Sequence, residues 1–179
     1  MVVQSAEGLQ LRRLPLEEAQ LMVAGRPTAA MQAAWHPEYP LADTLEGLTW
    51  LLAAYQAMGV PDLRSPWWSY QLVVDGQTVG DIGFHGPLDD QKQVTIGYQV
   101  VPLAQRRGLA TAACAMIVQL AWSAGAQRLL ASTDADNLAS QHVLRRNGFR
   151  TDDGRTFLID RPTSLAARAG ARSARAIRP

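Results

Sequence analysis

The spacing of apolar residues changes along the chain, and each change predicts a different kind of element. Four apolar residues recur at helical spacing before residue 56: Leu45, Leu48, Leu52 and Tyr55. Between residues 67 and 101 apolar and polar side chains alternate instead, and Asp75-Gly76 marks a tight turn. This segment is therefore predicted to form three antiparallel strands, over roughly 67–74, 77–85 and 92–101.

Turn and capping residues predict the other elements of the first half. A short strand over 10–14 precedes a helix that begins near Pro15 and ends at Gly25. Prolines prevent regular structure over 35–40, which is predicted to be a loop. The helix that follows is predicted to begin at Asp43, because Asp43 and Glu46 have the spacing of a capping box.

The second half returns to longer apolar spacings. A helix is predicted from Gly108 to Gly125, with one apolar stripe: Leu109, Ala113, Met116, Ile117, Leu120 and Ala124. A buried strand over 128–133, a helix over 137–147 and a closing strand over 156–160 follow.

Length and charge predict one domain with a basic extension. The chain has 179 residues and a net charge of +1, which gives no overall field for nucleic acid or membranes. Five arginines and no acid lie in the last nineteen residues, so the body up to Asp160 carries 12 cationic residues against 16 acids. We expect a domain over 1–160 and a solvated tail over 161–179, with a nucleic-acid arm as the weaker alternative.

Other features limit the class of protein. No apolar run approaches the roughly 20 residues that span a bilayer, and the first residues lack the pattern of a signal peptide, so we expect a cytoplasmic protein. One cysteine, Cys114, and three scattered histidines give no metal-ligand spacing, so no metal is expected. Cys114 is predicted to be an inert core residue.

A predicted strand-loop-helix junction near Gly108 has the properties of an anion site. The first backbone amides of a helix are unpaired and lie at its positive end, where phosphate binds well. Glycine and alanine keep the backbone accessible, and two arginines add positive charge. The junction consists of Gln105, Arg106, Arg107, Gly108, Leu109, Ala110 and Thr111.

This junction resembles the pyrophosphate-binding motif [RQ]-x-x-G-x-[GA] of the GNAT superfamily, whose members transfer acetyl groups from acetyl-coenzyme A to amines. Three further segments are similar to that family: I-G-Y at 96–98, N-x-x-S at 137–140 and L-x-x-x-G-F at 144–149. The similarity covers residues 10–160. It is greatest to the branch that contains the ribosomal-protein N-terminal acetyltransferases and many bacterial relatives.

The resemblance implies an α/β (α+β) fold with a mixed, mostly antiparallel sheet of about six to seven strands and about four helices. The strands 92–101 and 128–133 would splay apart, with pantetheine between them against the backbone of Tyr98 and Val100. The pyrophosphate would lie on residues 106–111. Asn137 would contact the cofactor, and its alternative role is to cap the following helix.

The resemblance also implies catalytic roles. The tyrosine that protonates the thiolate in many relatives is replaced by Leu144, so Ser140 is the best candidate acid; its alternative is a bond to its own helix backbone. The usual glutamates are replaced by Thr95 and Ser132. If the turn over 86–90 sets a register in which Asp81 faces Gly97, the Asp81 carboxylate lies on the face that lost its glutamate.

Several alternatives remain open at this point. Asp81 is a candidate base or a carboxylate satisfied by its neighbours, and Asp134, His85 or water are the other candidates. Trp35, His36 and Tyr39 either line the acceptor site or cover the core. An acidic body favours a small cationic amine over a peptide N-terminus. A non-catalytic acyl-CoA-binding module is the alternative function, and a homodimer is one alternative for the oligomeric state.

Overall fold

The computed structural model describes residues 2–4, 8–59 and 65–162, so most of the predicted tail lies outside the described residues. In this part the chain forms seven strands and five α-helices. In chain order these are β1 Val2–Gln4, β2 Gln10–Arg13, α1 Leu16–Val23, α2 Ala29–Ala33, α3 Ala42–Ala57, β3 Ser69–Val74, β4 Gln77–Phe84, β5 Gln93–Val100, α4 Leu109–Ser123, β6 Arg128–Ser132, α5 Leu138–Arg146 and β7 Thr156–Asp160.

One sheet contains all seven strands in the order β1-β2-β3-β4-β5-β6-β7. The β5–β6 pair is parallel and the other pairs are antiparallel. The predicted mixed, mostly antiparallel sheet is confirmed. The short helix α2, which Thr28 caps by accepting from the Met31 amide, was not predicted.

The parallel pair splays as expected. β5 pairs with β6 only over Gln93–Thr95, opposite Arg128–Leu130. Beyond that point β5 pairs only with β4, up to Val100, while β6 stays with β7 up to Ser132. The diverging strands leave a V-shaped opening at one edge of β5, where backbone groups have no strand partner.

Side chains on both faces of the sheet form the core. Trp68 and Tyr70 are among the largest fully buried side chains, and Trp67 is also buried, against Phe84. Because α4 packs against β4, β5 and α5, its buried surface is wider than the predicted stripe: it includes Cys114, Val118, Ala121 and Trp122, whereas Met116, Leu120 and Ala124 are only partly buried. Burial raises the pKa of Cys114 to about 12, as an inert core thiol requires.

The start of α3 differs from the prediction. The helix begins at Ala42 with Leu41 at its N-cap, and no side chain caps it. The predicted capping box of Asp43 and Glu46 is therefore wrong. Leu41 is already in the extended conformation that precedes a helix, so Asp43 falls inside the first turn, where its charge still favours the helix.

The predicted register of β4 and β5 is wrong by two residues. Asp81 lies opposite Gln99, and Gly83 lies opposite Gly97. The turn forms later than expected, because the Asp89 side chain accepts hydrogen bonds from the amides of Gln91 and Gln93. A shift of two residues preserves the face of each side chain, so Asp81 still lies on the predicted face.

Within the described residues, no helix has the length and apolar character needed to cross a bilayer.

Candidate active site

Two cavities open from the V between β5 and β6. One, of about 680 Å³, lies against the start of α4 and the side of α5. The other, of about 380 Å³, lies between α3 and the strands β4 and β5. We call them the loop cavity and the α3 cavity. Five residues line both: Asp43, Tyr98, Gln99, Asn137 and Ser140. Adjacent side chains of a strand point to opposite faces of the sheet. Tyr98 and Gln99 therefore lie on opposite faces of β5, and the two cavities meet where both residues line them, at the open edge of the strand.

The uncapped start of α4 lies in the wall of the loop cavity. Gly108 is the N-cap in the left-handed conformation, with φ of 79°, and no side chain caps the helix. The first amides of α4 are therefore available to an anion, at the end where the helix dipole is positive. Nothing lies within 4 Å of a Cβ placed on Gly108, so a side chain there would point into open space from a strained backbone.

The predicted cofactor residues line this cavity with one exception, Arg107. The Gln105 amide donates to the Val100 carbonyl (2.9 Å), so Gln105 also fixes the loop against the end of β5. This bond uses a carbonyl that the resemblance assigned to pantetheine. Arg146 and His142 of α5 line the cavity and were not predicted. Arg146 indicated only a favourable dipole interaction in the last turn of the helix, and His142 was one of three scattered histidines.

The α3 cavity is acidic. The residues that line it include Asp43, Glu46 and Asp81, and no lysine or arginine of the described chain lines it. Trp50 lines it from α3 with 71% of its surface exposed. This combination attracts cations through both charge and the aromatic face.

Asp81 is held by two side chains in this cavity. The Thr44 hydroxyl donates to one carboxylate oxygen (2.7 Å), and the Gln99 amide donates to Thr44 Oγ1 (2.7 Å) and more weakly to the other carboxylate oxygen (3.4 Å). Burial raises the pKa of Asp81 to about 6, the bonds from Thr44 and Gln99 lower it in part, and the charge of Asp43 raises it. A carboxyl group with this pKa can accept a proton near neutral pH.

Ser140 and Asn137 lie together at the start of α5. Asn137 Oδ1 accepts from the Ser140 amide (3.0 Å), so Asn137 caps the helix while it also lines both cavities. The Ser140 hydroxyl lies 2.8 Å from the Tyr98 hydroxyl. The structure thus brings Ser140 and Asp81 to the same cavity, on opposite sides of β5.

The alternative bases differ in position. His85 lines the α3 cavity, where its ring lies over Gly97, and partial desolvation by its neighbours lowers its pKa. Asp134 lines neither cavity, and its carbonyl accepts a long bond from the Gln141 side chain. Of the two, only His85 lines one of these cavities.

The aromatic residues between α2 and α3 do not line either cavity. Trp35 and Tyr39 are buried and pack edge to face in the core, with ring centroids 5.6 Å apart. His36 Nδ1 accepts from the Glu38 amide, and its own amide bonds to the Thr78 carbonyl. The substrate role considered for Trp35, His36 and Tyr39 therefore gives way to the alternative of covering the core. Pairing of Trp35 with Thr78 holds the segment against β4.

The residues that position Asp81 were not predicted. Thr44 is buried although it is polar, and Gln99 follows the I-G-Y segment on the face of Asp81. A polar residue among apolar positions of a predicted helix, opposite a polar residue on a strand, is the signal that could have identified this pair.

Comparison with known proteins identifies the class. A model of the acetyltransferase (GNAT) domain matches residues 9–150. The chain therefore belongs to the GNAT acetyltransferase family.

Individual relatives agree with this class. The chain is 32% identical over 77 residues to an uncharacterized N-acetyltransferase, YoaA, of Bacillus subtilis, an alignment that covers 42% of this chain and 44% of that protein. The match thus spans less than half the length of this curated relative. Among solved structures, the chain resembles RimL, a ribosomal L7/L12 alpha-N-protein acetyltransferase in complex with coenzyme A, with 16% identity, a TM-score of 0.60 and coverage of 89% of this chain and 98% of that chain. It also resembles Mycobacterium smegmatis RimJ in complex with CoA-disulfide, with 22% identity, a TM-score of 0.59 and coverage of 97% of this chain and 93% of that chain. At these identities the two structures support the fold.

Proposed function

We propose that the protein transfers an acetyl group from acetyl-coenzyme A to a primary amine by direct attack in a ternary complex. The observation that supports this most is the pair of cavities that meet at Tyr98 and Ser140, one built for an anion and the other acidic. The thioester of a cofactor bound in the loop cavity would lie at their junction, where an amine could reach it from the α3 cavity.

The cofactor contacts follow from the loop cavity. The pyrophosphate would lie on the amides of residues 108–111, with Arg106 and Arg146 supplying charge. Pantetheine would follow the open edge of β5 past Tyr98 towards Ser140. Coenzyme A in the RimL and RimJ structures supports this assignment.

The acceptor is a small cationic amine in this proposal. Asp43, Glu46 and the exposed face of Trp50 would attract a protonated amine into the α3 cavity. A peptide N-terminus is the second candidate, since RimL is named as an alpha-N-protein acetyltransferase.

Asp81 and Ser140 would divide the proton transfers. The bound ammonium first releases one proton to solvent. The neutral amine then attacks the thioester carbon, a C–N bond forms, and the C–S bond breaks with its electron pair moving to sulfur. The amine loses a proton to Asp81, which releases it to solvent. The thiolate gains a proton from Ser140, which regains one from solvent.

The direct test is release of free thiol from acetyl-CoA with a panel of polyamines, aminoglycosides, amino-acid amides and N-terminal peptides. We expect turnover with cationic amines. Gly108→Glu should abolish coenzyme A binding in calorimetry, because bulk and negative charge enter the anion site.

Each alternative has its own outcome in this assay. Activity only on peptides, lost when residues 161–179 are removed, would replace the amine with a peptide acceptor. Binding of acetyl-CoA without turnover on any acceptor would favour the non-catalytic module. Unchanged coenzyme A affinity in Gly108→Glu would contradict the placement of the cofactor.

A further inference from the structure

Tyr98 and Ser140 form a hydroxyl pair at the junction of the two cavities. Tyr98 Oη lies 2.8 Å from Ser140 Oγ and 3.0 Å from the Ser140 carbonyl oxygen. Both side chains are half-buried, and both line both cavities. The pair therefore connects β5 to the first turn of α5 where a thioester would have to lie.

The two distances allow two arrangements of one proton. The Tyr98 hydroxyl has a single hydrogen and two acceptors within reach, the carbonyl oxygen and Oγ of Ser140. If the hydrogen points to the carbonyl, Ser140 must donate its own hydrogen to Tyr98. If it points to Oγ, the Ser140 hydrogen is free to point into the junction.

The exchange between these arrangements leaves no group unpaired. The Ser140 carbonyl lies in the first turn of α5, so the helix itself supplies an amide donor from Leu144. The Tyr98 hydrogen can leave that carbonyl without orphaning it. Burial raises the pKa of Tyr98 to about 12, and the bond with Ser140 lowers it in part, so the phenol keeps its hydrogen at neutral pH.

We propose that Tyr98 is a positioning residue for Ser140: its hydroxyl donates to Ser140 Oγ and thereby directs the Ser140 hydrogen at the sulfur of coenzyme A. The inference rests on the proposed function, because it takes Ser140 as the donor to the thiolate. Tyr98 keeps its own proton throughout. Its bond to Oγ strengthens the hydrogen bond that Ser140 donates to sulfur.

The test measures the bound cofactor rather than turnover. The ultraviolet absorbance of the thiolate reports the ionisation of coenzyme A on the protein as the pH is raised. Ser140→Ala should raise the pKa of the bound thiol, because the thiolate loses a donor. Tyr98→Phe should lower the acid ionisation constant of the bound thiol about three- to tenfold, the range expected for the loss of one neutral hydrogen bond. In the Ser140→Ala protein, Tyr98→Phe should have no further effect.

A matched control separates this role from a structural one. Tyr70 also has its pKa raised to about 12, chiefly by burial, and donates to the Pro66 carbonyl (2.8 Å), but it lines neither cavity. Tyr70→Phe should leave the thiol pKa unchanged. Incorporation of 3-fluorotyrosine, which makes the phenol a stronger donor without removing it, should lower the thiol pKa, and this effect should vanish in Tyr98→Phe.

The outcomes distinguish the inference from the function on which it rests. An unchanged thiol pKa in folded Tyr98→Phe, or an equal shift with and without Ser140, would overturn the positioning role. No shift in Ser140→Ala would remove Ser140 as the donor and the inference with it. If no acceptor of the amine panel is acetylated while the coupling of Tyr98 and Ser140 is intact, only the proposed acetyl transfer is contradicted.

Discussion

Asp81 lies among neighbours that set the pH at which it can accept a proton. Thr44 and Gln99 donate to it, Asp43 repels its charge, and Tyr39 lies close enough for the Asp81 charge to raise the tyrosine pKa, after burial as the larger cause. Burial is the main reason that the pKa of Asp81 is raised to about 6. The ionised carboxylate of Asp81 therefore predominates over the protonated acid only above that pH.

The pH dependence of kcat/KM should follow this arrangement. Activity should fall below about pH 6. Asp81→Asn should remove this acidic limb. Thr44→Val removes a donor to the charged form, so the limb should move to higher pH by about one unit or more, since a hydrogen bond to a charged group contributes about 1.5 to 3 kcal/mol. Thr44→Ser, which keeps the donor, should restore the wild-type profile.

Denaturation at several pH values checks the same carboxyl group without a substrate. Its pKa is higher in the folded than in the unfolded chain, where it is about 3.9, so the stability that Asp81 contributes is lost as the pH rises from about 4 through about 6. Asp81→Asn should remove this pH dependence. Profiles of kcat/KM that coincide in wild type and folded Asp81→Asn would assign the base to water or His85.

At the scale of elements, two facing glycines shape the floor of the α3 cavity. Gly83 of β4 lies opposite Gly97 of β5, and both line the cavity. A Cβ on Gly83 would lie 2.8 Å from the Ser69 Cα, which is backbone. A Cβ on Gly97 would lie 2.6 Å from Nε2 of the exposed His85 side chain, which can turn away. The same substitution should therefore have different effects on the two strands.

Gly83→Ala should lower the free energy of unfolding by about 1 to 3 kcal/mol, the usual cost of overpacking. Gly97→Ala should cost much less, because only a ring has to move, but it should raise KM for the amine by displacing His85 from the cavity. Coenzyme A affinity should be unchanged in Gly97→Ala. Equal losses of stability, measured by urea denaturation, would show that the His85 ring cannot move.

Elements with a strong local signal could be predicted from the sequence. The alternation over 67–101 predicted β3, β4 and β5, and Asn137 and Gly148 marked the ends of α5. The register of β4 and β5 could not be predicted, because the Asp89 side chain extends the turn by bonds to two amides. The five residues of α2 are too few for a detectable period.

The candidate site divides in the same way. The uncapped helix start at Gly108 could be predicted because adjacent residues form it. The α3 cavity is formed by residues that are distant in sequence, so the partnership of Thr44, Asp81 and Gln99 depended on the packing of α3 over β4 and β5. Asp43 and Glu46 showed a local capping pattern, whereas the fold places them in a cavity wall.

At the scale of the whole molecule, the two cavities differ in the charge of the side chains that line them, although the net charge of the chain is only +1. Arg106 and Arg146 line the loop cavity, and Glu46 and Asp81 line the α3 cavity. An anionic cofactor and a cationic acceptor would thus be drawn to different sides of the same opening. Because the rim is exposed, these attractions should weaken as salt increases.

Neutralising the rim of the α3 cavity should therefore act on the acceptor alone. Glu46 lines the α3 cavity but not the loop cavity. In Glu46→Gln, KM for a cationic amine such as spermidine should rise about twofold to fivefold at low salt, as expected for one exposed charge of up to about 1 kcal/mol. Affinity for coenzyme A should be nearly unchanged. Glu17→Gln, an equivalent substitution at an exposed site on α1 outside both cavities, is the matched control. The difference in KM between variant and control should shrink as salt is raised, because salt screens the same electrostatic attraction that the substitution removes. A KM for spermidine that rises equally in Glu17→Gln would show that net charge, rather than the α3 cavity, attracts the amine.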